Sequence, residues 1–254
     1  MNIIGIIPVR MNSSRFPGKP MKKIHGMPMI GHCYFRTMAA LGIDETYVAT
    51  CDIEIRNYIQ SIGGKVIMTS NNHTRATTRT AEAMEKIEKQ IEGGIDVVVM
   101  VQGDEPLIEP NTIAKTIPYF DEKTINIVNV MSRFLTRESF EDENNVKVVV
   151  NCNNDALYFS REPIPSSWKG WNNTPRFMQT GIIAFRRETL INFNLMKETQ
   201  LEQTESVDMN RVLETGGKIK MVLTESLMIG VDVPEELVAV EELLEDDPIM
   251  LQYL

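Results

Sequence analysis

Short apolar runs alternate with helical patterns along the first hundred residues of the chain. Runs at residues 3–7, 46–50, 65–68 and 96–101 predict strands, and the segments 28–41, 53–62 and 77–91 predict helices. The last run is almost purely Val, as expected for a strand that is covered on both faces. A β-α-β-α order requires crossover connections, which favour a parallel sheet with right-handed crossovers. The sequence therefore predicts an α/β fold, with a mainly parallel central sheet and helices on both faces.

The pattern changes after about residue 125. Strands predicted at 146–150, 156–159, 181–185 and 218–223 indicate a smaller, mixed antiparallel region, with helices at 187–195, 205–213 and 234–244. No repeat or Pro-, Gly- or Ser-rich linker divides the chain, so we predict one domain over residues 1–254. Residues 160–174 form a long loop excursion rich in Pro and aromatic residues. Such a loop is typical either of a functional or interfacial segment or of an irregular crossover.

A positively charged loop follows the first predicted strand. Residues 8–20 read PVRMNSSRFPGKP, and five cations and no acid lie between residues 10 and 23. Arg10, Arg15 and Lys19 can neutralise phosphate charge, and Ser13 and Ser14 add hydroxyl donors. Because open α/β sheets bind ligands beyond the carboxyl ends of their strands, we predict an anionic ligand here. The alternative is a solvated basic loop.

Two known phosphate-binding motifs do not account for this loop. The ATPase phosphate loop requires a helix to begin at its lysine, whereas Lys19 is followed by Pro20. No Gly-x-Gly-x-x-Gly pattern follows the first strand, which excludes a dinucleotide fingerprint of that type.

Composition narrows the class of protein. The net charge is −9 over 254 residues and the pI is about 5.0, which argues against a nucleic-acid or membrane-surface binder. The three cysteines lie far apart, so neither a disulfide framework nor a zinc site is expected. The chain has only three histidines, which argues against a catalytic mechanism based on His–Asp pairs. We expect a soluble cytoplasmic enzyme.

Two aspartates are placed to hold a metal ion. Asp104 follows the Val-rich strand in the run Gln102-Gly103-Asp104, and we expect Gly103 to allow an unusual backbone angle or a close ligand approach. Asp232 precedes a helix that opens with Pro and two Glu. One or two carboxylates plus phosphate oxygens are the usual ligands of Mg²⁺. The alternative for each aspartate is a helix cap.

Four segments in this order resemble the 3-deoxy-manno-octulosonate (Kdo) cytidylyltransferases, also called CMP-Kdo synthetases. The segments are residues 8–20, 102–106, 157–161 and 230–237, and the resemblance extends over nearly the whole chain. It implies a single α/β nucleotidyltransferase domain and a homodimer. It also implies an Mg²⁺-dependent reaction that joins CTP to a small acidic sugar and releases pyrophosphate, and the acidic composition argues against a nucleic-acid or membrane partner.

The resemblance also assigns roles to residues of this chain. The implied catalytic residues are Arg10, Lys19 and Asp104, and the implied Mg²⁺ ligands are Asp104 and Asp232. The nucleotide-binding set from loop and resemblance together is Arg10, Ser13, Ser14, Arg15, Lys19, Thr77, Arg79 and Gln102. The implied acceptor-binding set is Gln102, Arg161, Gln179, Ile183, Asp208 and Met209.

The departures from the family pattern fall in two places. The family stretch Gly-Thr-Asp/Glu-Arg is Ala-Thr-Thr-Arg at residues 76–79. On the acceptor side, the His, Tyr, Glu and Gln of the family are Gln179, Ile183, Asp208 and Met209. One hypothesis is a different acceptor, such as a modified Kdo, another 2-keto sugar acid or a phosphonate; the other is a diverged Kdo enzyme. A non-catalytic nucleotide-binding relative and an enzyme that uses UTP or GTP also stay open.

Overall fold

The structure, a computed structural model, describes residues 1–12, 15–171 and 174–254 and has an α/β fold. Its residues group into two compact units, Met1–Ala114 with Leu227–Leu254 (unit 1) and Lys115–Ser226 (unit 2), which are described separately. One continuous domain over residues 1–254 stays a prediction. Within the described ranges, no helix is both long and apolar enough to cross a membrane.

Strands and helices alternate in the first half of the chain and mix in the second. The strands are β1 (Ile3–Pro8), β2 (Lys23–Ile24), β3 (Met27–Pro28), β4 (Glu45–Thr50), β5 (Lys65–Met68), β6 (Val97–Val101), β7 (Ile127–Arg133), β8 (Lys147–Val150), β9 (Ala156–Ser160), β10 (Phe177–Arg186) and β11 (Lys220–Thr224). The helices are α1 (Met29–Met38), α2 (Ile53–Ser61), α3 (Ala76–Glu88), α4 (Pro110–Ala114), α5 (Arg137–Glu141), α6 (Arg187–Leu195), α7 (Gln200–Glu205), α8 (Met209–Glu214) and α9 (Pro234–Leu243).

Unit 1 contains a parallel sheet in the order β6-β1-β4-β5. Every residue of β1 and β6 is buried, as the apolar runs predict, and Ile4 lies opposite Glu45 on one side and Val98 on the other. Helices α1, α2 and α3 pack against these strands. Because the strands are parallel, β1 and β6 both end at the edge where the basic loop and Asp104 begin.

Unit 2 is the mixed region that the sequence predicts. Strand β7 pairs in parallel with β11 and antiparallel with β10, and β8 pairs antiparallel with both β10 and β9. The sequence analysis missed β7, because Asn129 interrupts its apolar run. That Asn is fully buried, and its side chain donates hydrogen bonds to backbone carbonyls of its own strand and of β10.

The single helix predicted at residues 205–213 is wrong. Helix α7 ends at Glu205, and Ser206 adopts a left-handed backbone conformation with φ of 53° before α8 begins at Met209. A left-handed residue cannot continue a right-handed helix, so the chain turns at this serine.

The excursion predicted at residues 160–174 begins after β9, which ends at Ser160, and has no α-helix or strand at residues 161–171 or at Thr174. Arg176 holds it in place, since its side chain is buried and lies 5.1 Å from the ring centroid of Phe140 and 4.5 Å from that of Trp171. Its Nη1 donates to the carbonyl oxygen of Thr174 at 2.8 Å. In contrast, Trp168 is 88% exposed. A buried cation packed on aromatic faces therefore orders this loop.

Candidate active site

The ammonium group of Lys19 is the point at which distant parts of unit 1 meet. Its Nζ donates to Asp104 Oδ2 at 2.8 Å, to Asp232 Oδ1 at 2.9 Å and to the carbonyl oxygen of Val231 at 2.8 Å. Arg15 Nη2 lies 2.9 Å from the other oxygen of Asp232. The structure thus brings together two predicted phosphate-binding cations and both predicted metal ligands.

The charge of Lys19 is held in place by its neighbours. Burial alone would lower the pKa of this ammonium, but the charges and hydrogen bonds of Asp104 and Asp232 outweigh burial and raise the pKa above its usual value. The group is therefore a fixed cation at neutral pH.

Backbone and apolar contacts hold the segment that carries Asp232. The backbone N–H of Val231 donates to the carbonyl oxygen of Asp104 at 2.8 Å. The Val231 side chain is fully buried in an apolar cluster that also contains Phe16 from the basic loop and Val240 and Leu244 from the C-terminal region. The same cluster therefore fixes both the loop that carries Lys19 and the segment that carries Asp232.

Neither aspartate acts as a helix cap, so that alternative is wrong. Helix α9 is preceded by Val233, and the carboxylate of Glu236 accepts from the backbone N–H groups of Asp232 at 2.5 Å and Val233 at 3.0 Å. The next helix after Asp104 begins only at Pro110. Both carboxylates are instead turned to Lys19.

A cleft of about 340 Å³ surrounds this cluster. Its lining includes most of the predicted nucleotide-binding residues that the structure describes, namely Arg10, Arg15, Lys19, Arg79 and Gln102, together with the two predicted metal ligands, Asp104 and Asp232. Thr77 is buried and does not line the cleft, while Ser13 and Ser14 lie outside the described residues. The cleft is large enough for a small anionic ligand and is lined mainly by polar groups.

Of the two predicted roles of Gly103, the unusual backbone angle is wrong, and the close ligand approach stays a prediction, since Gly103 lines the cleft. Its φ is not in the left-handed region, so it supplies no unusual backbone angle. A Cβ at this position would lie 3.2 Å from both Val9 Cβ and Ile30 Cδ1. A side chain at this position, two residues after β6, would therefore crowd Val9 and Ile30.

The sequence analysis did not identify Glu82, which anchors the loop on the other side of the cleft. Its carboxylate accepts from the backbone N–H of Ser70 at 2.9 Å and pairs with Lys86 Nζ at 2.7 Å and with His73 Nε2. The His73 carbonyl oxygen in turn accepts from Arg10 at 3.3 Å. The one available signal was the i, i+4 spacing of Glu82 and Lys86 on a predicted helix.

The hydrogen bonds of Glu82 predict a pH-dependent contribution to stability. Burial would raise the pKa of this carboxyl, but bonds from Lys86, Ser70 and His73 lower it to about 2. A lowered pKa stabilises the fold above the unfolded-state value near 4.5, and that contribution is lost as the pH falls towards 2. We expect Glu82→Gln to reduce the free energy of unfolding at pH 7 and to reduce it less at pH 3, measured by urea denaturation. The exposed Glu85→Gln on the same helix is the control, and an equal loss at both pH values would contradict the assignment.

The carboxylates of the cleft fit a magnesium ion bound with phosphate. Asp104 and Asp232 are only partly buried and converge on one cation, which is the geometry of a two-carboxylate site. Across the part of the chain that the structure describes, no group of three or more His, Cys, Asp or Glu could hold a metal by itself. A metal here would therefore need oxygen ligands from a substrate.

The predicted acceptor-binding residues divide by burial. Ile183 and Met209 are buried in unit 2, so their side chains are not exposed to a molecule in solvent. Arg161 and Gln179 are half-buried, and Asp208 immediately precedes α8. The role of these five residues in binding an acceptor stays a prediction.

Arg161 is oriented by Glu205, a second residue that the sequence analysis missed. Its Nε donates to the Glu205 carbonyl oxygen and its backbone N–H to the Glu205 carboxylate, both at 2.8 Å. Tyr158 and Ser160 also donate to that carboxylate, each at 2.9 Å. Burial would raise the pKa of Glu205, but these bonds lower it, so the group is an anion that fixes Arg161.

Comparison with known proteins points to one family. The cytidylyltransferase family model matches residues 4–220. The chain is 40% identical over 252 residues to the 3-deoxy-manno-octulosonate cytidylyltransferase of Fusobacterium nucleatum, covering 99% of this chain and 100% of that protein. It is 39% identical over 255 residues to the enzyme of the same name from Geobacter sulfurreducens, covering 96% of this chain and 100% of the relative.

Solved structures show the same relationship. A CMP:2-keto-3-deoxy-manno-octonic acid synthetase complexed with CTP is 35% identical, with a TM-score of 0.87 and full coverage of both chains. A putative glucose-1-phosphate thymidylyltransferase from Bacillus anthracis, 15% identical with a TM-score of 0.66 over 96% of each chain, shares the fold. The α/β nucleotidyltransferase fold predicted from the sequence is confirmed.

Proposed function

The chain belongs to the cytidylyltransferase family, and from this premise we propose that it transfers CMP from CTP to Kdo and releases pyrophosphate. The observation that carries the proposal is the convergence of Lys19, Arg15, Asp104 and Asp232 at the edge of a parallel sheet. The names of the full-length relatives, and the CTP in the similar solved structure, support the choice of both substrates.

The reaction requires positioning and charge neutralisation more than proton transfer. A hydroxyl oxygen of the acceptor forms a bond to the α-phosphorus of CTP, and the bond from that phosphorus to the bridging oxygen of the β-phosphate breaks. Pyrophosphate leaves with the electron pair of that bond, and the hydroxyl proton passes to water. Arg10, Arg15 and Lys19 neutralise the charge that develops on the phosphate oxygens.

Asp104 and Asp232 are the residues that would hold Mg²⁺ in this proposal. The ion supplies charge neutralisation at the phosphates when it is bound. Lys19 holds the two carboxylates together, because its ammonium bonds to both. A homodimer, which the family resemblance implies, and a cytoplasmic location, which the composition favours, are further parts of the proposal.

The alternatives are less favoured than Kdo. The hypothesis of a different acceptor depends on the departures from the family pattern on the acceptor side, and two of the substituted side chains, Ile183 and Met209, are buried. The relatives compared above are named for Kdo. A non-catalytic relative would not need to keep two carboxylates and two cations in contact.

Pyrophosphate release tests the proposal directly. We expect release from CTP with Kdo in the presence of Mg²⁺, its loss on addition of EDTA, and little release with UTP, GTP or ATP. Release with a phosphonate or another 2-keto sugar acid but not with Kdo would overturn the acceptor. Preference for another nucleotide would overturn CTP, and no release with any pair would overturn the enzymatic proposal.

A further inference from the structure

Residues 244–254, which we call the anchor segment, fold back from α9 onto α1 within unit 1. The ring of Tyr253 stacks on that of Phe35, with 5.1 Å between the centroids and 13° between the planes. Earlier in the segment, the carboxylate of Asp247 accepts from the backbone N–H of Met250 at 2.6 Å. The anchor segment is therefore held at a defined place on α1.

Two buried polar side chains of α1 bind the anchor segment. His32 and Arg36 lie about one helical turn apart, and both are buried. The Tyr253 hydroxyl lies 3.0 Å from His32 Nδ1 and 3.2 Å from Arg36 Nε. Arg36 also pairs through Nη2 with Asp247 and donates through Nη1 to the carbonyl oxygen of Ile108 at 3.2 Å. Because separating a buried ion pair leaves an uncompensated charge, α1 and the anchor segment stay together.

The partners of the His32 ring determine the direction of its bond to Tyr253. His32 Nε2 lies 2.9 Å from the carbonyl oxygen of Ile24, which can only accept, so Nε2 carries the hydrogen. Burial lowers the pKa of His32 below its usual value, and the charge of Arg36 acts in the same direction. The ring is therefore neutral at neutral pH, and its Nδ1 is an acceptor. Since Arg36 Nε can only donate, the Tyr253 hydroxyl donates to His32 and accepts from Arg36.

The anchor segment shares an apolar cluster with the residue that precedes Asp232. Leu244 and Met250 are buried in the cluster that contains Val231, and Tyr253 packs against it. Both backbone polar groups of Val231 are bound in the cleft, as described above. Close-packed side chains transmit displacements to one another. A shift of the anchor segment would therefore move Val231 and, with it, the Asp232 carboxylate.

We propose that Tyr253, through its stacked ring and its hydroxyl, is the positioning residue that holds the anchor segment on α1 and thereby keeps the Asp232 carboxylate where it binds a divalent cation. The inference rests on the proposed function, because Asp232 is a metal ligand only in that proposal. Tyr253 does not line the cleft, so its effect is on the geometry of the site and not on a contact with a substrate.

The first test is Tyr253→Ala, measured by the binding of Mn²⁺ in the presence of CTP and without an acceptor. Mn²⁺ is a paramagnetic substitute for Mg²⁺, and electron paramagnetic resonance measures the free ion, with a titration of CTP alone as the blank. We expect the Kd for Mn²⁺ to rise by about tenfold, as is usual when a residue that orients a metal ligand is lost. An unchanged Kd for Mn²⁺ in Tyr253→Ala would overturn the inference.

Tyr58→Ala is the matched control. Tyr58 is also a half-buried tyrosine of unit 1, but it lies on α2 and is not part of the apolar cluster. Both variants should have a lower Tm than the wild type, because each loses buried aromatic surface. Only Tyr253→Ala should bind Mn²⁺ more weakly. An equal rise of the Kd in both variants would show that the effect comes from a general loss of stability, which contradicts a positioning role.

The variant Tyr253→Phe keeps the stacked ring and removes only the hydroxyl, so it disturbs the fold less than Tyr253→Ala. Loss of one hydrogen bond changes an equilibrium constant by about fivefold. The Kd for Mn²⁺ should therefore lie between those of the wild type and of Tyr253→Ala. A wild-type Kd in Tyr253→Phe would overturn the role assigned to the hydroxyl and its bond to His32.

A double-mutant cycle tests whether Tyr253 acts through Asp232. In the Asp232→Asn background this metal ligand is already lost, so Tyr253→Ala should raise the Kd for Mn²⁺ little further. Its effect on Tm should be the same in both backgrounds, because the anchor segment loses the same contacts in each. Additive effects on the Kd would show that Tyr253 does not act through Asp232, and the inference would be wrong.

The outcomes for this inference and for the proposed function are distinct. If the wild type binds Mn²⁺ with CTP and releases pyrophosphate, an unchanged Kd in Tyr253→Ala overturns this inference alone. A wild type that neither binds Mn²⁺ with CTP nor releases pyrophosphate overturns the proposed function, and the inference with it.

Discussion

Replacement of Asp104 with Asn is expected to lower kcat/KM by about 10³-fold or more, since a metal ion contributes several kcal/mol to neutralising phosphate charge. The amide has the size of the carboxylate but is a much weaker ligand for Mg²⁺. Lys19 keeps its bonds to Asp232 and to the Val231 carbonyl oxygen, and the backbone bond from Val231 to Asp104 does not involve the altered side chain. The fold should therefore persist.

The dependence of activity on Mg²⁺ concentration distinguishes the loss of a metal ligand from a general loss of stability. The Mg²⁺ concentration for half-maximal pyrophosphate release should rise in Asp104→Asn, while the Tm stays close to that of the wild type. Asp246→Asn, an exposed aspartate of the C-terminal region, is the control and should leave both quantities unchanged. Near-normal activity of Asp104→Asn at low Mg²⁺ would show that Asp104 is not a metal ligand.

The phosphate side of the site could be predicted because its residues follow strands. Arg10, Arg15 and Lys19 come after β1 and Asp104 comes after β6, and parallel strands place their carboxyl ends at one edge. The alternation of apolar runs with helical patterns predicted this parallel topology. For Asp232 the sequence left a metal ligand and a helix cap as alternatives, because no local pattern places the C-terminal region beside β6.

The features that could not be predicted depend on pairings between distant strands and on single hydrogen bonds. Asn129 is a polar residue in the middle of β7, so the apolar pattern did not predict this strand. The side chain can be buried because it donates hydrogen bonds to the carbonyl oxygens of Thr180 and Ile182 on β10, a strand that is distant in the sequence. Likewise, Ser206 ends α7 by one backbone angle that a serine rarely adopts. A hydrophobic pattern carries no information on either feature.

Lys19→Met gives the second large expected effect. Asp104→Asn should weaken the response to Mg²⁺, whereas Lys19→Met should strengthen the stabilisation by Mg²⁺. We expect kcat/KM for CTP to fall by about 10²- to 10³-fold, as for removal of one charged group that stabilises the transition state. Without the ammonium, Asp104 and Asp232 are two anions with no shared cation between them. The variant should therefore have a lower Tm than the wild type in the absence of Mg²⁺.

Added Mg²⁺ should raise the Tm of Lys19→Met by more than it raises the Tm of the wild type. In the wild type the ion must compete with an ammonium that both carboxylates already bind. In the variant the two carboxylates share no cation, although Arg15 still pairs with Asp232, and a ligand of the folded state stabilises more the more tightly it binds. Because the pKa of Lys19 is raised above the ordinary value of 10.5, its contribution to stability is complete below that pH and is lost only as the pH rises through the raised pKa. The difference in Tm between wild type and variant should thus be constant from pH 7 to 9.

Lys23→Met, which removes an exposed lysine from β2, controls for net charge. Equal Mg²⁺-induced shifts in wild type and Lys19→Met would mean that Lys19 and the metal ion do not share the two carboxylates.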